Sequence, residues 1–416
     1  MTDHLDAFLL DTQSRLQQAL TEKAGSEDAG AGVEQIVVAI GNESAEKKRK
    51  NLIPRSVHNI PNPDLDSVIS ALAFSFLSHT LDSTPSTLHL PLANIPSSEL
   101  HLRPELLHVL TACRLTPKNL LFAPSIIPLL NPNNTTLILV DHNRLTPPLA
   151  SSPAWTACIA GILDHHSDER LYHPPLRVIE PVGSATSLVA RHFQSAWSTL
   201  DPQPAWSPYL ARLMLAPILV DTVNLQPQHG RTTETDTTVA AFLTPLVRAA
   251  DPAFTEDYYA SIQHARTRLE HLSTSDLLRK DYKEWTTENG FRVGISSVAL
   301  SLEAWAEREG GATEVVKRAE AFAKEEERSL DLEVVMTGFD HGGDRGFERE
   351  LVVVIVEDKL RTAVMAEVEG GKGGKGGKAL ELEQWEQGVQ GTYRQRNVKM
   401  SRKQVWPLVK EWVEKV

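Results

Sequence analysis

Apolar residues recur along this chain at two different periods. Residues 3–20 (DHLDAFLLDTQSRLQQAL) carry them at helical spacing and predict an amphipathic first helix, with a loop over 22–32. VEQIVVAI at 33–40 is β-branched and ends at Gly41-Asn42, which predicts a strand feeding a turn. Asp64-Leu65-Asp66-Ser67 opens VISALAFSFL, an apolar helix with good capping residues at its start. TLILV at 136–140 and CIAGIL at 158–163 read as buried strands, with further strands near 86–90 and 176–180. Helices are predicted over 183–197, 210–225 and 235–249. Strands alternating with helices imply βαβ units and a mostly parallel sheet flanked by helices, an α/β fold.

The pattern changes after Asp251-Pro252, which reads as a linker. Beyond it come strands (RVGISSV, LDLEVVMTGF, ELVVVIVE) and long charged helices, which predict a second, smaller α/β domain. A chain of 416 residues exceeds one ordinary core, so two domains are expected, 1–250 and 251–416. GGKGGKGGK at 370–378 is a low-complexity segment and reads as a loop.

Composition narrows the class. Hydrophobic residues make up 41% and charged residues 23%, as in a soluble globular protein. No apolar run approaches the ~20 residues that span a bilayer, so no membrane partner is expected. The amino terminus lacks a basic stretch followed by an apolar one and is not rich in Arg, which favours the cytoplasm. Two cysteines, Cys113 and Cys158, build neither a disulfide framework nor a structural zinc site. A formal charge of −12 argues against nucleic acid as a partner, but leaves room for a polyanion held locally by metal ions and a few basic groups.

The candidate chemistry lies where the strands end. Asp141-His142-Asn143 and Asp164-His165-His166 each follow a buried strand, and ligands bind at the carboxyl ends of strands in open α/β sheets. Asp64 and Asp66 share one turn at a helix start; taken alone, helix capping would explain one of them. Asp221 lies in APILVDT, where an unpaired carboxylate is expensive. Hard oxygen donors with imidazole suit manganese or magnesium better than a thiolate-selected metal. A two-metal site can activate a water for in-line displacement at phosphorus. Asp141 is the natural bridging carboxylate, and His166 is then free to hydrogen-bond the substrate or protonate the leaving oxygen.

The ordered set GNES (41–44), DLDS (64–67), DHN (141–143), DHH (164–166), GSATS (183–187) and DTVN (221–224) resembles the DHH phosphoesterase superfamily, in its branch of eukaryotic exopolyphosphatases and prune-like proteins. RPE at 103–105 and the Arg231, Thr233, Asp236 pattern fit the same branch. Ser401-Arg402-Lys403 and RKDYKEW (279–285) resemble the C-terminal domain shared with family II inorganic pyrophosphatases. The resemblance implies two Mn2+ or Mg2+ ions at Asp64, Asp66, Asp141, His165 and Asp221, with His166 facing the substrate. It also implies that Arg402 and Lys403 hold terminal phosphates, in a cleft between the domains. Asn42 and Asn143 are further substrate-binding candidates, and His142 is either a substrate contact or a group behind the ligands. Gly183-Ser184 is either a helix entry near the substrate or simple helix packing. The activity implied is hydrolysis of terminal phosphoanhydride bonds of inorganic polyphosphate. A pyrophosphatase, a phosphatase for short or nucleoside polyphosphates, and an interaction protein with weak hydrolysis are the alternatives.

One departure stands out. EKKRKNLIPRSVHNIPNP at 46–63 separates GNES from DLDS, which the family keeps nearly contiguous. It reads either as a surface loop or as a retained intron. If it is a real loop, Asn62 or His58 is a candidate to replace Asn42 beside the first carboxylates.

Overall fold

The structure, a computed structural model, describes residues 4–25, 33–42, 63–81, 84, 86–255, 257–340, 346–369 and 375–416. The insertion at 46–63, apart from the backbone of Pro63, lies outside the described residues, as do His58, Asn62 and residues 370–374 of the glycine-lysine run; the rest of that run, 375–378, is helical rather than a loop. The Asp64 side chain likewise lies outside what is described. Two compact units are present, one ending at Arg266 and the other running from Thr267 to the end. The linker reading at Asp251-Pro252 therefore falls inside the first unit, because one more helix packs there before the chain leaves it.

Six strands form the sheet of the first unit: β1 (Gln35–Ile40), β2 (Thr87–Ala93), β3 (Leu121–Phe122), β4 (Thr135–Val140), β5 (Ile159–Asp164) and β6 (Leu176–Ile179). Their order is β3-β2-β1-β4-β5-β6, and every neighbouring pair is parallel. The helices are α1 (His4–Gly25), α2 (Pro63–Leu81), α3 (Pro104–Ala112), α4 (Ala123–Ile126), α5 (Pro153–Ala157), α6 (Ala185–Ser198), α7 (Ser207–Asp221), α8 (Glu234–Ala250) and α9 (Asp257–Thr267).

Alternation along the strands explains why both faces are covered. Ile36, Val38 and Ile40 of β1, with Leu137 and Leu139 of β4, enter one apolar cluster. Ala39, Ile138 and Val140 enter the other, built chiefly from α2, α6, α7 and α8. Successive side chains point to opposite faces, so an all-parallel sheet needs apolar residues at nearly every position. The strand order reverses between β1 and β4, which is where a crevice forms outside the carboxyl ends of such a sheet. Asn42, Asp141 and the Asp164-His165-His166 string all emerge at that edge.

The predicted helix over 210–225 ends earlier, at Asp221. Val223, Asn224 and Leu225 follow with φ of 53°, 59° and 57°, a left-handed run that a β-branched residue rarely adopts. Thr222 braces it, since its Oγ1 donates to Ile218 O at 2.6 Å and accepts from Leu225 N at 3.0 Å. Hydrophobic periodicity continues through this segment, so only the dihedral angles reveal the stop.

In the second unit α10 (Thr274–Lys280) leads into β7 (Tyr282–Thr286) and β8 (Arg292–Val298). Then come α11 (Leu302–Glu309), α12 (Ala312–Ala323), β9 (Leu332–Thr337), the short pair β10 (Phe339–Asp340) and β11 (Phe347–Glu348), and β12 (Glu350–Ile355). The chain closes with α13 (Asp358–Glu369), α14 (Lys375–Leu380), β13 (Leu382–Gln384), β14 (Thr392–Gln395) and α15 (Arg402–Val413). The main sheet runs β13-β14-β12-β9-β8-β7 and is mixed, with β8 and β9 parallel. Val293, Ile295, Val334, Leu351 and Val353 pack on Val405, Val409 and Trp412 of α15. No helix among the described residues is long and apolar enough to cross a membrane.

Candidate metal centre

Asp141 follows β4 with φ of 63°, so the chain turns sharply where the strand stops. Its side chain is 2% exposed. Ser67 donates to Oδ2. The other oxygen, Oδ1, is buried and makes no hydrogen bond, yet lies 3.1 Å from His165 Nε2. His165 Nδ1 sits 3.0 Å from Val182 O and donates to it, which leaves a lone pair on Nε2 facing the carboxylate. Two electron-rich atoms directed at each other require a shared proton or a cation between them. A ring nitrogen tied to a backbone carbonyl, with the other nitrogen directed at a carboxylate, is the arrangement of a metal-ligating histidine.

Electrostatics point the same way. Burial pushes the Asp141 carboxyl up, with the facing His165 ring opposing and the Asp66 charge adding to it. Asp221 is held well above the usual carboxylate range, by burial first and then by Asp66 and Asp141. It also ends α7, where the helix dipole disfavours negative charge. Burial alone would lower His165, but the facing Asp141 carboxylate and the Asp66 charge push it up to about 10. Three carboxylates and one imidazole thus act on one another in the same small space. The donor set fits a divalent metal.

Asp66 does cap a helix, though not its own. Its carboxylate takes Ser184 Oγ (2.6 Å), Ala185 N (2.7 Å), Thr186 N (3.0 Å) and Thr186 Oγ1 (2.6 Å) at the start of α6. This ties α2 to α6 and explains GSATS: small hydroxyl residues at a helix start hold one buried carboxylate. Gly183, just before, donates its N–H to Asp236 Oδ2 at 2.9 Å, and Ser187 Oγ donates to Asp236 Oδ1 at 2.7 Å. A Cβ at Gly183 would lie 2.4 Å from Thr222 Cγ2 and 2.7 Å from Arg231 O. Gly183→Ala is therefore expected to destabilise by about 1–3 kcal/mol and to weaken metal binding as the Asp66 cradle shifts. Thermal unfolding and manganese calorimetry on that variant check both effects.

The remaining predicted residues divide clearly. Asp141, His165 and His166 each place a donor atom within 4.8 Å of the others. His166 Nδ1, however, is 2.8 Å from Asp164 Oδ1 and 3.7 Å from Asp141 Oδ1, so that nitrogen is already committed to Asp164. Burial would raise Asp164, but the hydrogen bonds from His166 and Asn143 hold it below the usual range. His142 is buried and its Nδ1 donates to Val140 O at 2.9 Å. The Asn143 amide is taken up by Asp164, Ser167 O and Glu169 N, so it braces the loop after β5. Asn42 is buried at the end of β1. In the second unit Arg402 is mostly buried and bonds Asp281 through both its backbone oxygen and its carboxylate, each at 2.7 Å. Lys403 is exposed on the first turn of α15.

Several participants escaped the sequence reading. Ser67 and Asp164 lie inside the quoted motifs but carried no assigned role. Arg266, whose charge pulls Asp221 down, has no local signal at all, because only the fold brings α9 to this neighbourhood.

Comparison with known proteins agrees with this geometry. Residues 57–218 match the DHH family, N-terminal domain, and residues 260–412 match the DHHA2 domain. The chain is 32% identical over 352 residues to exopolyphosphatase PRUNE1 of Rattus norvegicus, covering 84% of this chain and 73% of that one. To exopolyphosphatase PRUNE1 of Homo sapiens it is 31% identical over 353 residues, with the same coverage. A Deinococcus radiodurans protein, designated a probable manganese-dependent inorganic pyrophosphatase, is 30% identical over 154 residues, 36% of this chain and 45% of that one. The motif order, the strand-end cluster and these similarities together place the chain in the DHH family, with a DHH N-terminal domain followed by a DHHA2 domain.

Proposed function

We propose that this protein is a metal-dependent exopolyphosphatase that removes orthophosphate from the ends of inorganic polyphosphate. The observation that carries the reading is the buried Asp141 Oδ1, without a hydrogen bond and 3.1 Å from the His165 Nε2 lone pair. Asp64, Asp66, Asp141, His165 and Asp221 would hold two divalent ions, manganese or magnesium. Such ions supply Lewis-acid polarisation of the phosphoryl group and make water acidic enough to attack at neutral pH.

The protein's own groups do the rest. Asp66 is kept rigid by the α6 amides and hydroxyls, so that carboxylate is held in place in advance. His166, nearly half exposed, keeps Nε2 free to donate to the leaving phosphoryl oxygen. Arg402 and Lys403 offer a guanidinium and an ammonium for phosphoryl oxygens, and Asp281 orients the former. The PRUNE1 relatives are named exopolyphosphatases, which favours polyphosphate as the substrate; the Deinococcus protein brings manganese and pyrophosphate into consideration.

The test is orthophosphate release from long-chain polyphosphate, tripolyphosphate and pyrophosphate with manganese or magnesium. Release from the two longer substrates at rates above that from pyrophosphate is expected. Activity on pyrophosphate alone would replace the proposal with a pyrophosphatase. No release from any of the three would leave an interaction protein.

A further inference from the structure

We propose that Asp164 is a positioning residue that fixes the ring of His166, with Asn143 locking Asp164 in place. The inference rests on the hydrolase reading above, in which His166 meets the leaving oxygen.

Asp164 ends β5 and is fully buried. Both of its oxygens are committed. Oδ1 accepts from the His166 backbone N–H at 3.1 Å and from His166 Nδ1 at 2.8 Å. Oδ2 accepts from the Asn143 amide. That amide cannot turn, because its nitrogen also donates to Ser167 O at 3.1 Å and its oxygen accepts from Glu169 N at 3.0 Å. A carboxylate held this way is an acceptor only, so the hydrogen sits on Nδ1 of His166. The outer nitrogen, Nε2, takes no hydrogen bond from the described residues. It is therefore the reacting nitrogen, bare in the neutral ring and N–H in the charged one.

A second consequence follows from the neighbouring carboxylate. Asp141 Oδ1 lies 3.7 Å from His166 Nδ1 and is the competing acceptor. Without Asp164 the ring is drawn toward the carboxylate proposed to hold metal. Asp164 thus keeps His166 out of the ligand set while directing Nε2 outward. An orienting acid behind a catalytic imidazole acts in the same way in hydrolases of unrelated fold.

Asp164→Asn presents an amide nitrogen either to the Asn143 amide or to His166 Nδ1–H, and donor meets donor in both orientations. The paired exchange, Asp164→Asn with Asn143→Asp, restores the match at that bond but gives up the bond to Ser167 O, so its recovery is partial. The single variant is expected to lose roughly 100-fold in kcat, with KM little changed and any change in manganese affinity far smaller than that in kcat. The pair is expected to recover at least about 10-fold of that loss. Long-range 1H–15N correlation of the metal-free protein, with the His166 signal assigned through His166→Gln, reads the tautomer directly. Nδ1–H in the parent, its loss in Asp164→Asn and its return in the pair are expected. An unchanged tautomer in the single variant overturns the proposal, as does a fall in manganese affinity that matches the fall in kcat. Should the parent release no phosphate, the hydrolase reading fails, and the tautomer still decides the positioning role.

Discussion

Asp141→Asn is expected to reduce phosphate release by roughly 10²–10³-fold or more and to remove most of the manganese affinity, while leaving the metal-free fold intact or more stable. The reasoning is local. The amide oxygen can still accept from Ser67, and the amide nitrogen can donate to the His165 Nε2 lone pair, which the carboxylate cannot do unless a proton intervenes. The substitution also removes one negative charge from a group that includes Asp66 and Asp221, both of which act on the same buried space. Relief of that repulsion is a stability gain obtained at the expense of function. Activity assays, manganese calorimetry and thermal unfolding without metal are the three readouts. A destabilised metal-free variant would mean that Asp141 is a structural residue and would remove the basis for the site.

This residue also shows how much was legible beforehand. The hydrophobic run at 136–140 ends abruptly in a carboxylate, and a strand end is where an α/β sheet binds ligands, so Asp141 stood out from sequence alone. The same logic reached His165 and Asp221. Asp66 was harder. Its spacing at a helix start permits capping or metal binding, and the carboxylate does cap a helix, the distant α6. Nothing in a linear reading joins residue 66 to residues 184–186. Asn143 was expected at the substrate, yet its amide is consumed by the loop it braces. Periodicity located the long strands of both sheets and the long helices of the first unit, because buried strands are apolar on both faces, but it gave no range for short elements such as β3, β13, β14, α3 and α5. It misjudged the end of α7, where left-handed residues stop the helix without any Gly or Pro to announce it, and it set the domain boundary before α9.

Glu333→Gln should flatten the pH dependence of stability between about 4.5 and 8, a difference on the order of a few kcal/mol once pH exceeds about 8. Glu333 lies in β9 with no exposed surface. Ser296 Oγ donates to its Oε1 at 2.6 Å, whereas Oε2 has no partner and presses against Gly294. Burial pushes the carboxyl up to about 8, against the Ser296 hydrogen bond and the Arg328 charge. The ordinary value is 4.5, so the folded chain keeps a proton that the unfolded chain releases. That contribution is complete below about 4.5 and is lost as pH rises through about 8. A permanently neutral side chain cannot lose it. The melting temperature of the variant should accordingly exceed that of the parent at pH 9 and converge with it near pH 5. Parallel melting curves across that range would show that Glu333 is already ionised in the fold.

Buried charge is the common theme of the two units, with opposite outcomes. In the second, one carboxyl escapes the cost of burial by remaining protonated. In the first, several carboxylates crowd an imidazole that is itself pushed toward its charged form, and no single proton balances the set. A bound divalent cation does so at once, which is why the acidic cluster reads as a site and Glu333 does not.

The proposed hydrolysis depends on divalent metal at this cluster. Its most direct test is orthophosphate release from long-chain polyphosphate by protein stripped with a chelator, followed as manganese or magnesium is restored. No release from the stripped protein and full recovery on addition of either ion are expected. Undiminished release in excess chelator would contradict it.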